Sequence, residues 1–214
     1  DNFKKYWPAN LHLIGKDILR FHTIYWPIML HCLGVEMPEH IFGHPWLLFG
    51  NDKMSKSKGN ITYADDLVEK YGVDALRFSL FDGVAIQSDS RFSEKKVELT
   101  RNFINKIWNA SRFVLMQIEG KDIKCINDVE LSLADKWILS ELNKTIEEVD
   151  KKFEKYDIGM AASDLNDFFW NKFCDWYIEL SKCDLAEGKE GAISTLTYVL
   201  ENTLKLLHPF IPFV

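Results

Sequence analysis

The chain has 214 residues, 47% of them hydrophobic and 14% aromatic, enough to bury a substantial core split into two units and contrary to a disordered polymer. Its formal net charge of −6 counts against a general nucleic-acid binder, and the four cysteines Cys32, Cys125, Cys174 and Cys183 form no Cys-x-x-Cys pair, so neither a structural zinc nor a disulfide framework is expected. No apolar run reaches the roughly 18 residues of a membrane helix and no signal-peptide pattern opens the chain, so a reduced, soluble, cytoplasmic protein is expected.

From the front, Leu11 to Gly15 is a short apolar run closed by glycine, which predicts a strand and a tight turn. From Lys16 the period becomes helical, with Ile18, Phe21, Tyr25 and Met29 three to four residues apart and Asp17 near the positive end of the helix dipole. A second unit follows: Ile41 to Gly43, then Trp46 to Phe49 as a buried strand. Strand, turn and helix in this order predict an α/β sheet with its polar site at the strand ends.

That strand leads into Lys53-Met54-Ser55-Lys56-Ser57-Lys58-Gly59-Asn60, three lysines, two hydroxyls and a glycine in eight residues. Ammonium groups on long stems can follow a phosphate whose charge moves during reaction, and neighbouring hydroxyls add hydrogen bonds. Composition alone allows a solvated surface loop. Beyond it, Ile61 to Tyr71 and Val73 to Phe81 read as two short helices broken at Gly72, with Asn60 or Thr62 as the cap.

The ordered string Lys-Met-Ser-Lys-Ser is identical to the signature of class I aminoacyl-tRNA synthetases. Residues 6–27, from Tyr6-Trp7-Pro8 to Trp26-Pro27, closely resemble the catalytic domain of methionyl-tRNA synthetases, which usually carry aspartate where Asn10 stands, and Gly43-His44-Pro45-Trp46-Leu47 fits the same family. The resemblance, which covers residues 1–80, implies the C-terminal half of a Rossmann-like catalytic domain in residues 1–93. It implies that Asp17 binds the adenosine ribose, that Gly43, His44, Trp46 and Leu47 lie against adenine, and that Phe21, His22 and Trp26 line the amino-acid pocket. It also implies that Lys53 and Lys56 are catalytic, with Lys56 on the departing pyrophosphate, and that Met54, Ser55 and Ser57 complete the ATP-binding loop. By residue type alone, Asp17 is equally a helix N-terminal acid, His22 a residue satisfied by backbone, and Phe21 and Trp26 core.

Behind Gly83 the likeness changes. Arg101 to Met116, Trp137 to Asn143, Phe173 to Lys182 and Leu206 to Phe213 resemble the helical, anticodon-binding part of valyl-tRNA synthetases, so residues 83–214 are valyl-like behind a methionyl-like front. A fusion, a misassembled gene or a chimera would each produce that junction. Apolar positions at Phe103, Ile107, Ala110 and Val114, at Leu139 to Phe153, at Leu165, Phe169, Phe173, Trp176 and Leu180, and at Ile193 to Leu207 predict four amphipathic helices. With linkers near 119–134 and 183–191 they form an all-α bundle, residues 94–214. Pro209 and Pro212 stop the last helix. Trp108, Trp170, Trp176 and Tyr177 are expected in its core.

Residues 94–124 carry seven Lys/Arg against four Asp/Glu, a local +3. Unpaired bases are read by stacking and edge hydrogen bonds, so Asn105, Lys106, Asn109, Arg112, Asn171 and Asp175 are the candidate tRNA-binding residues. The reaction implied uses ATP with Mg2+ and an amino acid to form an adenylate, which tRNA then accepts. The family's His-Ile-Gly-His element is not found in these 214 residues. The missing N-terminal half of the catalytic domain is therefore an expected partner, and the chain alone is expected to keep at best weak affinity for nucleotide or tRNA. A non-catalytic tRNA-binding or partner-binding fragment remains the competing class, and valine the competing specificity.

Overall fold

The computed structural model describes residues 2–50, 52–53 (backbone only), 62–86 and 88–214. It divides into two compact units, residues 1–61 with 86–92, and residues 62–85 with 93–214. The architecture is α/β followed by all-α.

In the first unit the helix α1 (Asn2–Tyr6) precedes β1 (Leu11–Gly15), which pairs in parallel with β2 (His40–His44), setting Ile14 against Gly43 and Gly15 against His44. The crossover is helical but irregular: a 3-10 turn at Lys16–Ile18, a π-helical turn at Phe21–Tyr25, then α2 (Trp26–Cys32). Pro27, which has no N–H to donate, sits at the join, so the wider turn falls where the α-helical ladder would be interrupted anyway. A second sheet holds β3 (Leu47–Phe49) between β4 (Asp52–Lys53), antiparallel to it, and β5 (Ser90–Phe92), parallel to it.

Two expectations fail here. Phe21, core by residue type alone, is not core: it is 59% exposed, and Ile18, Tyr25 and Met29 of the same stripe are each more than a third exposed too. Nor is Trp46 to Phe49 a buried strand: it begins at Leu47, and Leu47 and Phe49 are 38% and 41% exposed. Periodicity shows that a stripe is apolar; it does not show what covers it.

The second unit opens with α3 (Ala64–Tyr71) and α4 (Val73–Phe81), separated by Gly72 at φ +89°, a conformation that a side chain would strain. α3 starts at Ala64 behind Tyr63 with no side-chain cap, later than expected and without Thr62 in that role; Asn60 lies outside the described residues. Lys70 Nζ and Tyr71 Oη donate to Glu94 at 2.7 and 2.9 Å, fastening α3 to the head of α5 (Glu94–Ile118). Then come α6 (Leu133–Glu154), one long rod made of α7 (Ile158–Asp167), a π-helical stretch (Phe168–Tyr177) and α8 (Ile178–Ala186), and α9 (Glu190–Leu207).

The four predicted rods are thus present, except that the third runs on to Ala186 and its link to α9 is only residues 187–189. The core is built from Phe103, Ile107, Val114, Ile138, Leu142, Leu165, Phe169, Phe173 and Leu196, with Phe210 from the tail. Trp108, Trp176 and Leu180, expected inside, are 57%, 63% and 51% exposed. A π-helix turns through about 4.4 residues, so positions four apart stay nearly aligned. Phe169, Phe173 and Tyr177 therefore share the buried face, with ring centroids 5.5 and 6.1 Å apart, and Trp176 rotates out.

Candidate functional site

In the first unit the C-terminal ends of the two parallel strands bring predicted site residues together. A Cβ on Gly15 would lie 2.6 Å from Asp17 Oδ1 and 3.7 Å from His44 Nε2, so the carboxylate and the imidazole both close on the bare glycine backbone. His44 Nδ1 donates to its neighbour Pro45 O at 2.9 Å, which leaves Nε2 toward Gly15. Gly43 is held close as well, since a Cβ there would stand 3.2 Å from Leu19 Cδ1. Polar groups gathered outside the carboxyl ends of parallel strands are the usual place for a ligand in an α/β sheet.

Asp89 organises the next stretch. Its Oδ1 accepts from the Trp46 backbone N–H at 3.0 Å and pairs with Lys16 Nζ, which also lies 5.9 Å from the Trp46 ring centroid. Trp46 and Leu47 are therefore placed by a carboxylate 43 residues away from Trp46, and no local pattern points to it.

The crossover helix lines a cavity of about 440 Å³ with Phe21, His22, Tyr25, Trp26 and Met29, together with His12 from β1. His22 Nδ1 donates to Ile18 O at 3.0 Å, a contact that sets the ring's orientation. His22 meets the His12 ring edge-on at 6.1 Å, and Trp7 packs on both His12 (6.0 Å) and Trp26 (6.1 Å, near-perpendicular) while its own indole N–H donates to Glu36 O at 2.8 Å. Trp7 and His12 were missed as site residues. The signals available were Tyr-Trp-Pro ahead of the strand and the placement of His12 and Ile14 on one face of it. His12 Nδ1 and Trp26 Nε1 are buried with no hydrogen-bond partner among the described residues.

The lysine segment gives the structure little to describe. Lys53 is seen through its backbone, paired with Leu48, and Met54, Ser55, Lys56 and Ser57 lie outside the described residues. No group of three or more His, Cys, Asp or Glu suited to a metal occurs among the described residues.

In the second unit Asn105, Asn109 and Arg112, spaced four and three, stand exposed on one side of α5 together with Trp108. Lys106 lies nearer the bundle. Its Nζ pairs with Asp175 at 2.7 Å and sits 4.8 Å from the centroid of Trp170, whose ring stacks on Phe103. Two of the six candidates thus neutralise each other in the groove between α5 and the π stretch. Asn171 donates to Asp167 at 2.7 Å. Cys174, beside this pair, is buried, and burial pushes its thiol up to about 12, so it is an inert core sulfur.

The α/β unit and the helical bundle each have counterparts among known proteins: the family of tRNA synthetases class I (M) matches residues 1–114, and the anticodon-binding domain of tRNA ligases matches residues 135–214. The chain belongs to the class I tRNA synthetases. Similar curated proteins include valine–tRNA ligases of Bacillus thuringiensis subsp. konkukian (45% identical over 220 residues) and Staphylococcus saprophyticus (43% over 224), each match covering 100% of this chain. This chain spans about a quarter of the length of those relatives, 25% in both cases.

Among solved structures, Mycobacterium tuberculosis methionyl-tRNA synthetase in complex with methionyl-adenylate is similar at TM-score 0.83 and 29% identity, over 99% of this chain and 43% of that one. A leucyl synthetase of Agrobacterium radiobacter, in a ternary complex, shares the fold at TM-score 0.77 and 21% identity. The chain thus resembles both methionyl and valyl enzymes.

Proposed function

We propose that this chain carries part of the site for ATP-dependent amino-acid activation and for transfer to tRNA, in the cytoplasm, with a methionyl-type front and a valyl-type rear. The observation that carries the reading is the meeting of Asp17 and His44 around Gly15, at the ends of parallel strands and in the same unit as the aromatic cavity. Asp17 then takes the ribose, Gly43 to Leu47 lie along adenine, and Phe21, His22 and Trp26 hold the amino-acid side chain. The amino-acid carboxylate attacks the α-phosphate of ATP, the bond to the β-phosphate oxygen breaks, and pyrophosphate leaves as the adenylate forms.

This step asks for positioning and charge stabilisation more than covalent help. Lys56 meets the departing pyrophosphate, Lys53 supports it, and Ser55 and Ser57 donate hydrogen bonds, with Met54 between them. Mg2+ would come as part of the ATP substrate, held mostly by phosphate oxygens and water, and would lower the charge that the lysines must offset. The bundle, residues 94–214, receives tRNA on the α5 side that carries Asn105, Asn109 and Arg112, with Lys106, Asn171 and Asp175 at the groove. The upstream half of the catalytic domain is the protein partner.

The specificity assigned to the cavity is methionine, because an aromatic wall suits a thioether: sulfur against a ring contributes about 0.3–1.5 kcal/mol. Valine is the second reading, supported by the 45% identity to valine–tRNA ligases along the whole chain. The tRNA assignment is tested by comparing filter retention of tRNA by Arg112→Ala, Lys56→Ala and the parent chain. Loss in Arg112→Ala with retention in Lys56→Ala is expected, and equal retention by all three overturns it.

A further inference from the structure

The first unit holds two separate strand systems, and no hydrogen-bonded ladder joins them among the described residues: β1 pairs with β2, and β3 lies between β4 and β5. In sequence only Pro45 and Trp46 separate β2 from β3. Asp89 and Ser90, which belong to the same unit, grip Trp46 at both of its backbone groups. Asp89 Oδ1 accepts from Trp46 N at 3.0 Å, and Ser90 N donates to Trp46 O at 2.8 Å, just ahead of the register that sets Leu47 against Ser90. The same Oδ1 pairs with Lys16 Nζ from the turn that leaves β1, and this ammonium stands 5.9 Å from the Trp46 ring centroid. Both side chains of the ion pair are 35% exposed, so salt screens it less than a pair on the open surface.

One carboxylate oxygen thus ties the exit of the first strand system to the entry of the second. The residues next to the two tied points are those read as nucleoside contacts: Asp17 follows Lys16, and Leu47 follows Trp46. Asp17 makes no ion pair among the described residues, so its carboxylate keeps its acceptor capacity for hydroxyls. Two subsites reinforce each other on one ligand only when their separation matches it.

We propose that Asp89 is a positioning residue of the nucleoside site: holding Lys16 and the Trp46 backbone on one oxygen, it sets Asp17 at the separation from Trp46 and Leu47 that one adenosine spans. The inference rests on the nucleotide reading of those residues. In this role Asp89 acts through Lys16 and Trp46, not on the nucleoside itself.

The test is an NMR titration of the 214-residue chain with adenosine and with 2′,3′-dideoxyadenosine, which lacks both ribose hydroxyls. The parent chain is expected to prefer adenosine by about tenfold or more, the worth of a hydrogen bond to a charged group. Asp89→Asn keeps an acceptor for the Trp46 N–H and loses the charge that holds Lys16; Lys16→Met removes the ammonium and leaves Asp89 in place. Each is expected to cut the preference by about threefold or more, and the double variant to cut it no further, because the two residues act as one link. Asp89→Ala, which also strips the Trp46 N–H of its acceptor, is expected to weaken dideoxyadenosine binding as well, by about threefold or more. A preference kept in both Asp89→Asn and Lys16→Met, or losses that add in the double variant, would overturn the positioning role and leave the nucleotide reading standing. A parent chain indifferent to the hydroxyls would overturn that reading, and the role with it.

Discussion

Tyr177 donates its phenolic proton to Asp135 Oδ1 at 2.5 Å, tying the π-helical stretch to the first turn of α6, with both residues buried. The other oxygen of Asp135 accepts from Ser132 N and Oγ at 2.9 and 2.8 Å, and Ser132 Oγ accepts from Asp135 N, so one carboxylate closes a capping box and anchors a second helix. Burial, with the Asp135 carboxylate adding to it, holds the Tyr177 phenol well above its ordinary range. A raised phenol is neutral in the folded state, so its stabilisation is complete below about pH 10, where the unfolded tyrosine titrates, and is lost above it. Unfolding free energy is therefore expected to fall by up to about 1.4 kcal/mol per pH unit above pH 10. Tyr177→Phe is expected to cost about 1–3 kcal/mol at pH 7 and to remove this component of the slope, both read by urea titration.

The π register makes a second prediction. Phe173→Ala, in the centre of the aromatic ladder, is expected to cost about 3–5 kcal/mol. Trp176→Ala, although it deletes a larger side chain, is expected to stay within about 0.5 kcal/mol. A regular α-helix would bury the positions expected from the sequence and make both substitutions costly. Denaturant midpoints of the two variants separate these cases.

The contrast shows what a periodic pattern can convey. The rods of the bundle were readable because Phe103, Ile107, Ala110 and Val114, and their counterparts in α6 and α9, repeat at helical spacing on faces that this chain itself covers. The π stretch was not, because choosing Tyr177 over Trp176 depends on turn width, which is set by packing against α5 and α6. Phe21, Tyr25 and Met29 were rightly seen as a stripe, while Phe21, core by residue type, is exposed, since periodicity does not say what covers an apolar face. Asp17 and His44 were named through family likeness; their convergence on Gly15 comes with the parallel register of β1 and β2, which sets Gly15 against His44. Asp89 carried no local sign at all.

Gly159 is required by a close approach. A Cβ there would fall 2.0 Å from Val84 O and 2.7 Å from Phe81 O, so α7 can begin against the end of α4 only with a bare backbone. Ser163 Oγ donates to Asp82 at 2.8 Å and accepts from Gly83 N at 2.9 Å across the same joint. Gly159→Ala is expected to cost about 1–3 kcal/mol by thermal or urea unfolding. An unchanged midpoint would mean that the joint yields.

Asp89→Ala removes the acceptor of the Trp46 N–H and the partner of Lys16. Loss of a hydrogen bond to a charged group is worth about 1.5–3 kcal/mol, so exchange of the Trp46 amide is expected to rise by about tenfold or more. Amides of α6 and α9, in the other unit, are expected to keep their parental rates. Hydrogen exchange followed by mass spectrometry reads both.

The most direct measurement is exchange of labelled pyrophosphate into ATP in the presence of methionine and Mg2+, for the chain alone and with a separately produced upstream half of a methionyl-type catalytic domain. The account predicts essentially no exchange from the chain alone, exchange from the pair, and loss of that exchange in Lys56→Ala. Brisk exchange by the chain alone, or exchange by the pair that Lys56→Ala leaves intact, would contradict it.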